Sequence, residues 1–243
     1  MKNNIEKLKS FLKNAEKIAV LSGAGMSTAS GLPDFRSQRG LYNTIVTPLV
    51  FSKWLFRIWP DYLYKKLWPF YEQLAQAKPN EGHLALAALE KQGKHVEIIT
   101  QNVDCLHQAA GSTCVHEIHG TVKSMTCMRC GKQQRIAHDM FTGPVKKAPR
   151  CSCGGVFKPD IVFFGEELPG EPLRLALLAM LNADLVLVCG TSLKVAPANQ
   201  LLAYRVEGTP VVVINRQPTM MDEFAALVIH DDIGGVLKQA ILA

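Results

Sequence analysis

Two short stretches carry residue types that can do chemistry: Thr100-Gln101-Asn102-Val103-Asp104 and Glu117-Ile118-His119-Gly120. Each comes after a β-rich apolar run, Val96 to Ile99 and then Cys114 to Ile118, so the polar side chains are expected where strands give way to loops. In an open parallel sheet that edge is where ligands bind. An amide, a carboxylate and an imidazole gathered there can hold a sugar and move a proton, and imidazole suits the proton step because its unperturbed pKa lies near neutrality. Asn, Asp and His also serve as structural caps, so the two stretches are weighed with what surrounds them.

The second feature is a glycine turn. Lys17-Ile18-Ala19-Val20-Leu21 reads as a buried strand running into Ser22-Gly23-Ala24-Gly25-Met26-Ser27 and a helix start, the layout in which backbone N–H groups face a phosphate. A hydride-transfer fingerprint would place a third glycine where this chain has Thr28, and an acid about 20 residues past the turn to hold the ribose. No acidic residue stands between Asp34 and Asp61, so that reading loses both supports. The turn leads instead into Ser30-Gly31-Leu32-Pro33-Asp34-Phe35-Arg36-Ser37, a loop with Gly and Pro punctuation able to close over a ligand.

The third feature is a cysteine module, Cys127-Met128-Arg129-Cys130 and, twenty residues later, Cys151-Ser152-Cys153. Four thiolates make a closed tetrahedral site that suits a structural Zn²⁺ and leaves no open position for a reacting water. The usual ribbon has two residues inside both pairs, and here the second pair has one, which leaves open which four sulfurs bind; His138 is a distant fallback ligand. Seven cysteines, an odd count with four tightly paired, fit metal ligation in a reducing compartment better than disulfides. Cys105, Cys114 and Cys189 read as inert thiols within or beside apolar strands.

The elements that must position these groups alternate. A first helix with an Ile5, Leu8, Phe11, Leu12, Ala15 stripe precedes the strand at Lys17. Thr47 to Ala77, rich in Trp, Tyr, Phe and Leu, reads as two or three short helices broken near Pro60 and Pro69. A helix at His83 to Gln92 precedes the strand at Val96, and a helix turn at Asp104 to Ala110 ends at Gly111. Beyond the cysteines, strands are expected at Ile161 to Phe164, Asp184 to Cys189, Pro210 to Ile214 and Leu227 to His230, with helices at Pro172 to Leu181, from about Pro197, and at the carboxyl end. Strands alternating with helices argue an α/β fold with a doubly wound parallel sheet. Polar residues recur at the strand ends, at Ser22, Gln101, Asn102, Thr191, Ser192 and Asn215, which core packing does not require.

A length of 243 residues allows one core and a small satellite, and 48% hydrophobic with 20% charged residues is an ordinary globular balance. The net charge of +6 is scattered and diagnoses no partner. The longest apolar run, Leu175 to Leu181, is far short of the roughly 20 residues a membrane span needs. The amino end lacks the apolar core of a secretory signal, so a cytoplasmic location is expected.

In order along the chain, Gly23-Ala24-Gly25-Met26-Ser27 with Gly31-Leu32-Pro33-Asp34-Phe35-Arg36, then Thr100 to Asp104, Glu117 to Gly120, Phe163-Phe164-Gly165-Glu166, and Gly190-Thr191-Ser192 with Ile214-Asn215 resemble the sirtuins, a family of NAD-dependent protein deacylases. The resemblance runs over nearly the whole chain. It implies a Rossmann-like large lobe, approximately residues 1–36, 79–120 and 158–243, and a small lobe made of a helical insert (37–78) and a zinc ribbon (121–157). It also implies that NAD is consumed as a reagent while an acetyl-lysine peptide enters the cleft between the lobes.

By that resemblance His119 is the general base toward a ribose hydroxyl and Asn102 orients the ribose, while Asp104 and the backbone of Val103 hold the nicotinamide carboxamide. Phe35 screens the sugar carbon from water and Arg36 closes over NAD. Ala24, Thr28, Gln101, Thr191, Ser192, Asn215, Asp232 and Ile233 line the rest of the NAD site. Val162, Phe163, Gly165 and Glu166 belong to a strand that pairs with the peptide main chain, and Cys127, Cys130, Cys151 and Cys153 hold one structural zinc. Relatives that take succinyl or malonyl groups carry a Tyr-x-x-Arg pair where this chain has Tyr62-x-x-Lys65, so an uncharged acyl group, acetyl first, is expected.

The alternative within the same chemistry is ADP-ribosyl transfer to a protein. A non-catalytic reading has the ribbon's Lys123, Arg129, Lys132, Arg135, Lys146, Lys147 and Arg150 gripping nucleic acid, but Phe141 is that interval's one aromatic and no stacking platform exists. Nucleic acid is therefore not the expected partner, and a monomer is expected.

Overall fold

Ile18 and Val20 pack on one face of the central sheet while Ala19 and Leu21 pack on the other, which is why β1 (Lys17–Ser22) reads as an unbroken apolar run. The same split holds in β7 (Leu185–Cys189), with Leu185 and Leu187 against Val186 and Val188, and in β8 (Val211–Ile214). The computed structural model describes residues 2–34, 40, 48–136 and 147–242. With β2 (His95–Thr100), β3 (Val115–Glu117) and β9 (Leu227–Ile229) these strands form a six-stranded sheet of order β3-β2-β1-β7-β8-β9, parallel throughout. The helices α1 (Lys2–Asn14), α4 (Glu81–Lys91) and α7 (Ile233–Ile241) cover one face. On the other lie α6 (Gly170–Asn182) and a 3₁₀ run, Ala198–Tyr204.

Between α1 and α4 the chain inserts a 3₁₀ turn (Pro48–Phe51), α2 (Lys53–Ile58) and α3 (Pro60–Gln76). Between β3 and α6, beyond the short α5 (Leu106–Ala110), it inserts a three-stranded antiparallel sheet of order β5-β4-β6. Its strands are β4 (Gly120–Cys127), β5 (Gln133–Arg135) and β6 (Phe157–Ile161). Insert and small sheet share a core in which Phe56, Leu63, Tyr64 and Leu67 meet Ile161 and Phe163. Asp160 ties the small sheet together by accepting from the Ser124 and Thr126 hydroxyls of β4.

Two expected elements fall elsewhere. The strand expected at Ile161 to Phe164 lies earlier, at Phe157–Ile161, because Pro159 is tolerated on an edge strand, where its missing N–H faces away from the ladder. Residues 162–164 stay extended beyond it, Val162 donating to the His119 carbonyl (2.8 Å) and Phe164 to that of Phe51 (2.7 Å). Pro69 does not break its helix either. α3 runs through it, starting with Pro60 at its first turn, because burial of Leu67, Trp68, Phe70 and Tyr71 around it outweighs one lost backbone bond.

The chain reverses direction across the sheet between β1 and β7, the switch point at which open α/β sheets bind ligands. There the glycines do a different job from the expected one. The N–H groups of Gly23, Gly25 and Met26 are taken by the carbonyls of Cys189, Gly190 and Gly23, so they do not face a ligand. The glycines provide close approach: a Cβ on Gly25 would lie 2.8 Å from the Cα of Gly190. A Cβ on Gly190, whose φ is +66°, would meet the Met26 nitrogen at 2.3 Å. Gly190→Ala is therefore expected to lower the melting temperature by roughly 10 °C or prevent accumulation of folded protein, measured by thermal unfolding; unchanged melting would contradict this account of the turn.

Candidate active site

Where β1 and β7 part, a cleft of about 1190 Å³ opens between the strand ends and the small sheet. Its walls include Ala24, Thr28, Gln101, Asn102, Val103 and His119, then Thr191, Ser192, Asn215, Asp232 and Ile233, and on the opposite side Val162, Phe163, Gly165 and Glu166. Asp104 stands apart from these, in an adjoining side cavity of about 40 Å³ whose walls include Ala24, Ser27, Asn102 and Val103. Phe35, Arg36 and His138 lie outside the described residues.

His119 sits at the turn from β3 into β4, half-buried. Its Nδ1 is 3.0 Å from the Gln101 carbonyl, which can only accept, so Nδ1 carries the proton and Nε2 keeps a lone pair. Burial lowers the imidazole's pKa below its ordinary value of 6.5, with the carbonyl contact opposing. The ring is therefore neutral and basic at neutral pH. Gln101 is fixed in turn by a bond from its Nε2 to Thr191 Oγ1 (2.9 Å), which joins the ends of β2 and β7.

Asn102 is buried, and its Nδ2 donates to the Gly23 carbonyl and to Ser27 Oγ, both at 3.1 Å. Ser27 Oγ donates to Asp104 Oδ2 (2.7 Å), while Asp104 Oδ1 accepts from the Leu106 N–H (2.9 Å). Burial still raises the Asp104 carboxyl above its ordinary range, against these two bonds. Behind Ser27 lies fully buried His83, whose Nδ1 accepts from the Asn80 N–H (3.3 Å), so its Nε2 is the proton-bearing nitrogen 3.5 Å from Ser27 Oγ. Burial brings the His83 pKa down to about 4.

Ser27, on the side-cavity wall, and His83, buried behind it, are contacts that sequence patterning does not single out. Ser27 is visible as the polar residue closing the glycine turn, but its partner Asp104 is 77 residues away. His83 also serves as the reciprocal half of a capping box with Asn80 at the start of α4. His107 and His116 make structural bonds, to Ser22 Oγ (3.0 Å) and to Glu97 (2.8 Å). Thr28 Oγ1 bonds back to the Gly25 carbonyl, and Asp232 caps α7 by accepting from the Gly235 N–H. Phe163 is fully buried against Phe51 and Phe56, so it offers the cleft its backbone.

The four cysteines converge as one cluster, every sulfur within 4.8 Å of the others. Cys127 and Cys153 are 3.5 Å apart and Cys130 and Cys151 3.8 Å, close to the roughly 3.8 Å edge of a tetrahedron with Zn–S bonds of about 2.3 Å. The one-residue spacing of the second pair thus does not spoil the donor set. Hydrogen bonding from the Cys153 backbone brings the Cys151 thiol down to about 6, while hydrogen bonds with the neighbouring sulfurs push Cys153 up to about 11, so the four sulfurs share protons that a metal would displace. Cys189 is a buried core thiol, while Cys105 and Cys114 are half-buried; Cys105 faces Glu117 and Thr121 and is pushed up to about 11 by burial and the Glu117 charge.

Residues 23–197 match the model of the Sir2 family. An NAD-dependent protein deacetylase of Clostridium perfringens is 40% identical over 99% of this chain and 100% of its own length. One of Bacillus subtilis is 40% identical over 95% and 96%. Among solved structures, Sir2Tm bound to a propionylated peptide superposes with a TM-score of 0.87 at 35% identity, covering 98% of this chain and 97% of that one. A Sir2 protein with a deacetylated p53 peptide and 3′-O-acetyl ADP-ribose gives 0.89 at 34% identity, covering 98% of both.

Proposed function

Since this chain belongs to the Sir2 family, we propose that its cleft brings NAD and an acetyl-lysine peptide together over His119. The chain is an NAD-dependent protein-lysine deacetylase: it consumes NAD, releases nicotinamide and O-acetyl-ADP-ribose, and frees the lysine amine. The observation that carries the residue assignment is the His119 imidazole, held by its Nδ1 with a basic Nε2 on the cleft wall.

As the acyl oxygen displaces nicotinamide at C1′ of the ribose, the amide becomes an imidate. His119 Nε2 takes a proton from a ribose hydroxyl, that oxygen attacks the imidate carbon, and a water then adds to that carbon as its bond to the lysine nitrogen breaks, leaving O-acetyl-ADP-ribose and the free amine. Asn102, pinned by Gly23 and Ser27, orients the sugar. Asp104 and the Val103 backbone receive the nicotinamide carboxamide in the side cavity, where Ser27 and the Leu106 N–H hold the carboxylate in place. Phe35 shields the sugar carbon and Arg36 closes over the dinucleotide. Ala24, Thr28, Gln101, Thr191, Ser192, Asn215, Asp232 and Ile233 carry the remaining contacts.

The peptide main chain pairs with residues 162–165. Val162 and Phe164 commit their N–H groups to His119 and Phe51, and Phe163 donates to the Glu166 carboxylate (2.9 Å), so the peptide pairs at Gly165 and at Phe163 by displacing the Glu166 side chain. The large lobe comprises approximately residues 1–36, 79–120 and 158–243, and the small lobe 37–78 and 121–157. Four thiolates suit a reducing compartment, and we place the protein in the cytoplasm as a monomer that does not engage nucleic acid. Among the described residues no helix is long and apolar enough to cross a membrane.

Tyr62 and Lys65 are both exposed and neither lines the cleft, so among the described residues this pair offers no partner to a carboxylate-bearing acyl group. A panel of otherwise identical acyl-lysine peptides tests the assignment. Nicotinamide release is expected with acetyl and at least about a hundredfold less with succinyl, because an unpaired carboxylate would have to be buried. Equal release from both would overturn the uncharged-acyl assignment.

A further inference from the structure

The helical insert displays large apolar residues that are exposed among the described residues. Leu49 is 70% exposed, Trp54 68%, Ile58 45% and Trp59 58%. The inward face of α2 is already occupied, since Phe56 and Leu55 pack into the shared core, and Trp54 and Ile58, four residues apart, share the outward face. Single exposed apolar residues are ordinary, but a run of them on one short insert marks a surface that something covers.

This surface is joined to the cleft. The Lys53 N–H at the start of α2 donates to the Phe164 carbonyl (3.2 Å), Phe164 donates to Phe51, and Ser52 and Phe164 form a parallel bridge. Phe164 is itself 52% exposed and lines the cleft wall. The exposed apolar residues of α2 therefore begin on the turn whose backbone is bonded to Phe164. The charged side chains among it, Lys53 and Arg57, are exposed and basic and make no ion pair among the described residues.

We propose that the flank of the acyl-lysine peptide leaves the cleft across Phe164 and Trp54. The preferred substrates are then acetyl-lysine sites with a large apolar residue a few positions from the lysine and an acidic residue near it to meet Lys53 and Arg57. Extended chain advances about 3.3 Å per residue and sends alternate side chains to one face, so the preference falls on one or two defined positions and not on general hydrophobicity. The proposal rests on the deacetylase reading of the same cleft and adds the sequence class it selects.

The test uses the full chain, with NAD and a set of acetylated peptides that carry Ala, Phe or Glu at each flanking position in turn. In the wild type, Phe in place of Ala at one or two positions is expected to raise kcat/KM about tenfold. In Trp54→Ser that ratio falls to near one, with melting unchanged because the side chain is exposed. Lys53→Glu reverses the advantage of a neighbouring Glu. A Phe-to-Ala ratio that survives Trp54→Ser, or no flanking preference in the wild type, would overturn the proposal while leaving the deacetylase reading intact. So would sedimentation showing a wild-type dimer that Trp54→Ser dissociates, since the face would then belong to a second copy. Absence of turnover with every acetylated peptide would instead sink the deacetylase reading, and the proposal with it.

Discussion

His119→Ala protein is expected to fold, melt like the wild type and lose deacetylation by about 10²- to 10⁴-fold, the range that removal of a general base costs. The imidazole's bond to the Gln101 carbonyl lies at the cleft wall, and Gln101 keeps its own tie to Thr191, so the strand ends stay joined without the imidazole. The same geometry sets the pH dependence. Burial holds the His119 pKa below 6.5, and the active form is the neutral one, so the acid limb of kcat/KM should fall with a midpoint below that value.

Stability must be measured alongside. His83 is held at about 4 when folded against 6.5 ordinarily, so the unfolded chain binds more protons between those values, and stability is present above 6.5 and lost as pH falls toward 4. A fall in activity at pH values where the protein is still folded at the assay temperature assigns the limb to His119. Undiminished turnover by a well-folded His119→Ala protein would falsify the mechanism.

Removing the metal is expected to have the second largest effect. One zinc per chain should be bound by Cys127, Cys130, Cys151 and Cys153, and Cys127→Ser or Cys130→Ser should lose it together with the order of the small sheet. The cluster joins the ends of β4 and β6: Cys127 closes β4, and Cys151 and Cys153 precede β6. Both strands lead straight to the site. β4 begins at Gly120, next to His119, and β6 runs into residues 162–166.

Activity should therefore drop by an order of magnitude or more, although no sulfur touches substrate, while the six-stranded sheet, with its separate core on both faces, persists. Metal content and thermal unfolding on the same preparations check this. Zinc retained at full stoichiometry with wild-type melting in either variant would contradict the assignment.

Most of the fold was legible because it arises from local patterning. The strands of the central sheet are buried on both faces, so their apolar runs stand out between Gly and Pro, and β1, β2, β7, β8 and β9 fall within a residue or two of their expected places. The cysteine spacing identified the metal cluster because four thiols at such short separations have few other uses. The features that were not legible depend on contacts distant in sequence. Pro69 inside α3 and Pro159 inside β6 are breakers by local rules, and only packing around the first and the edge position of the second make them tolerable.

The glycine turn misled for a related reason. The Gly23 and Gly25 N–H groups are taken up by Cys189 and Gly190, and the need for these glycines comes from Gly190 and Thr191 pressed against them, a contact no local pattern announces. At the site, His119, Asn102 and Asp104 were visible as polar residues at strand ends. Ser27, which links Asn102 to Asp104, and His83 behind it emerge only when the strand ends are brought together.

The most direct test is to incubate the protein with NAD and an acetylated peptide and to weigh the peptide and the nucleotide products. A peptide lighter by one acetyl group, with nicotinamide and O-acetyl-ADP-ribose formed in equal amounts, is the predicted result. A peptide that gains an ADP-ribose mass, or that loses acetyl without any NAD being consumed, would contradict it.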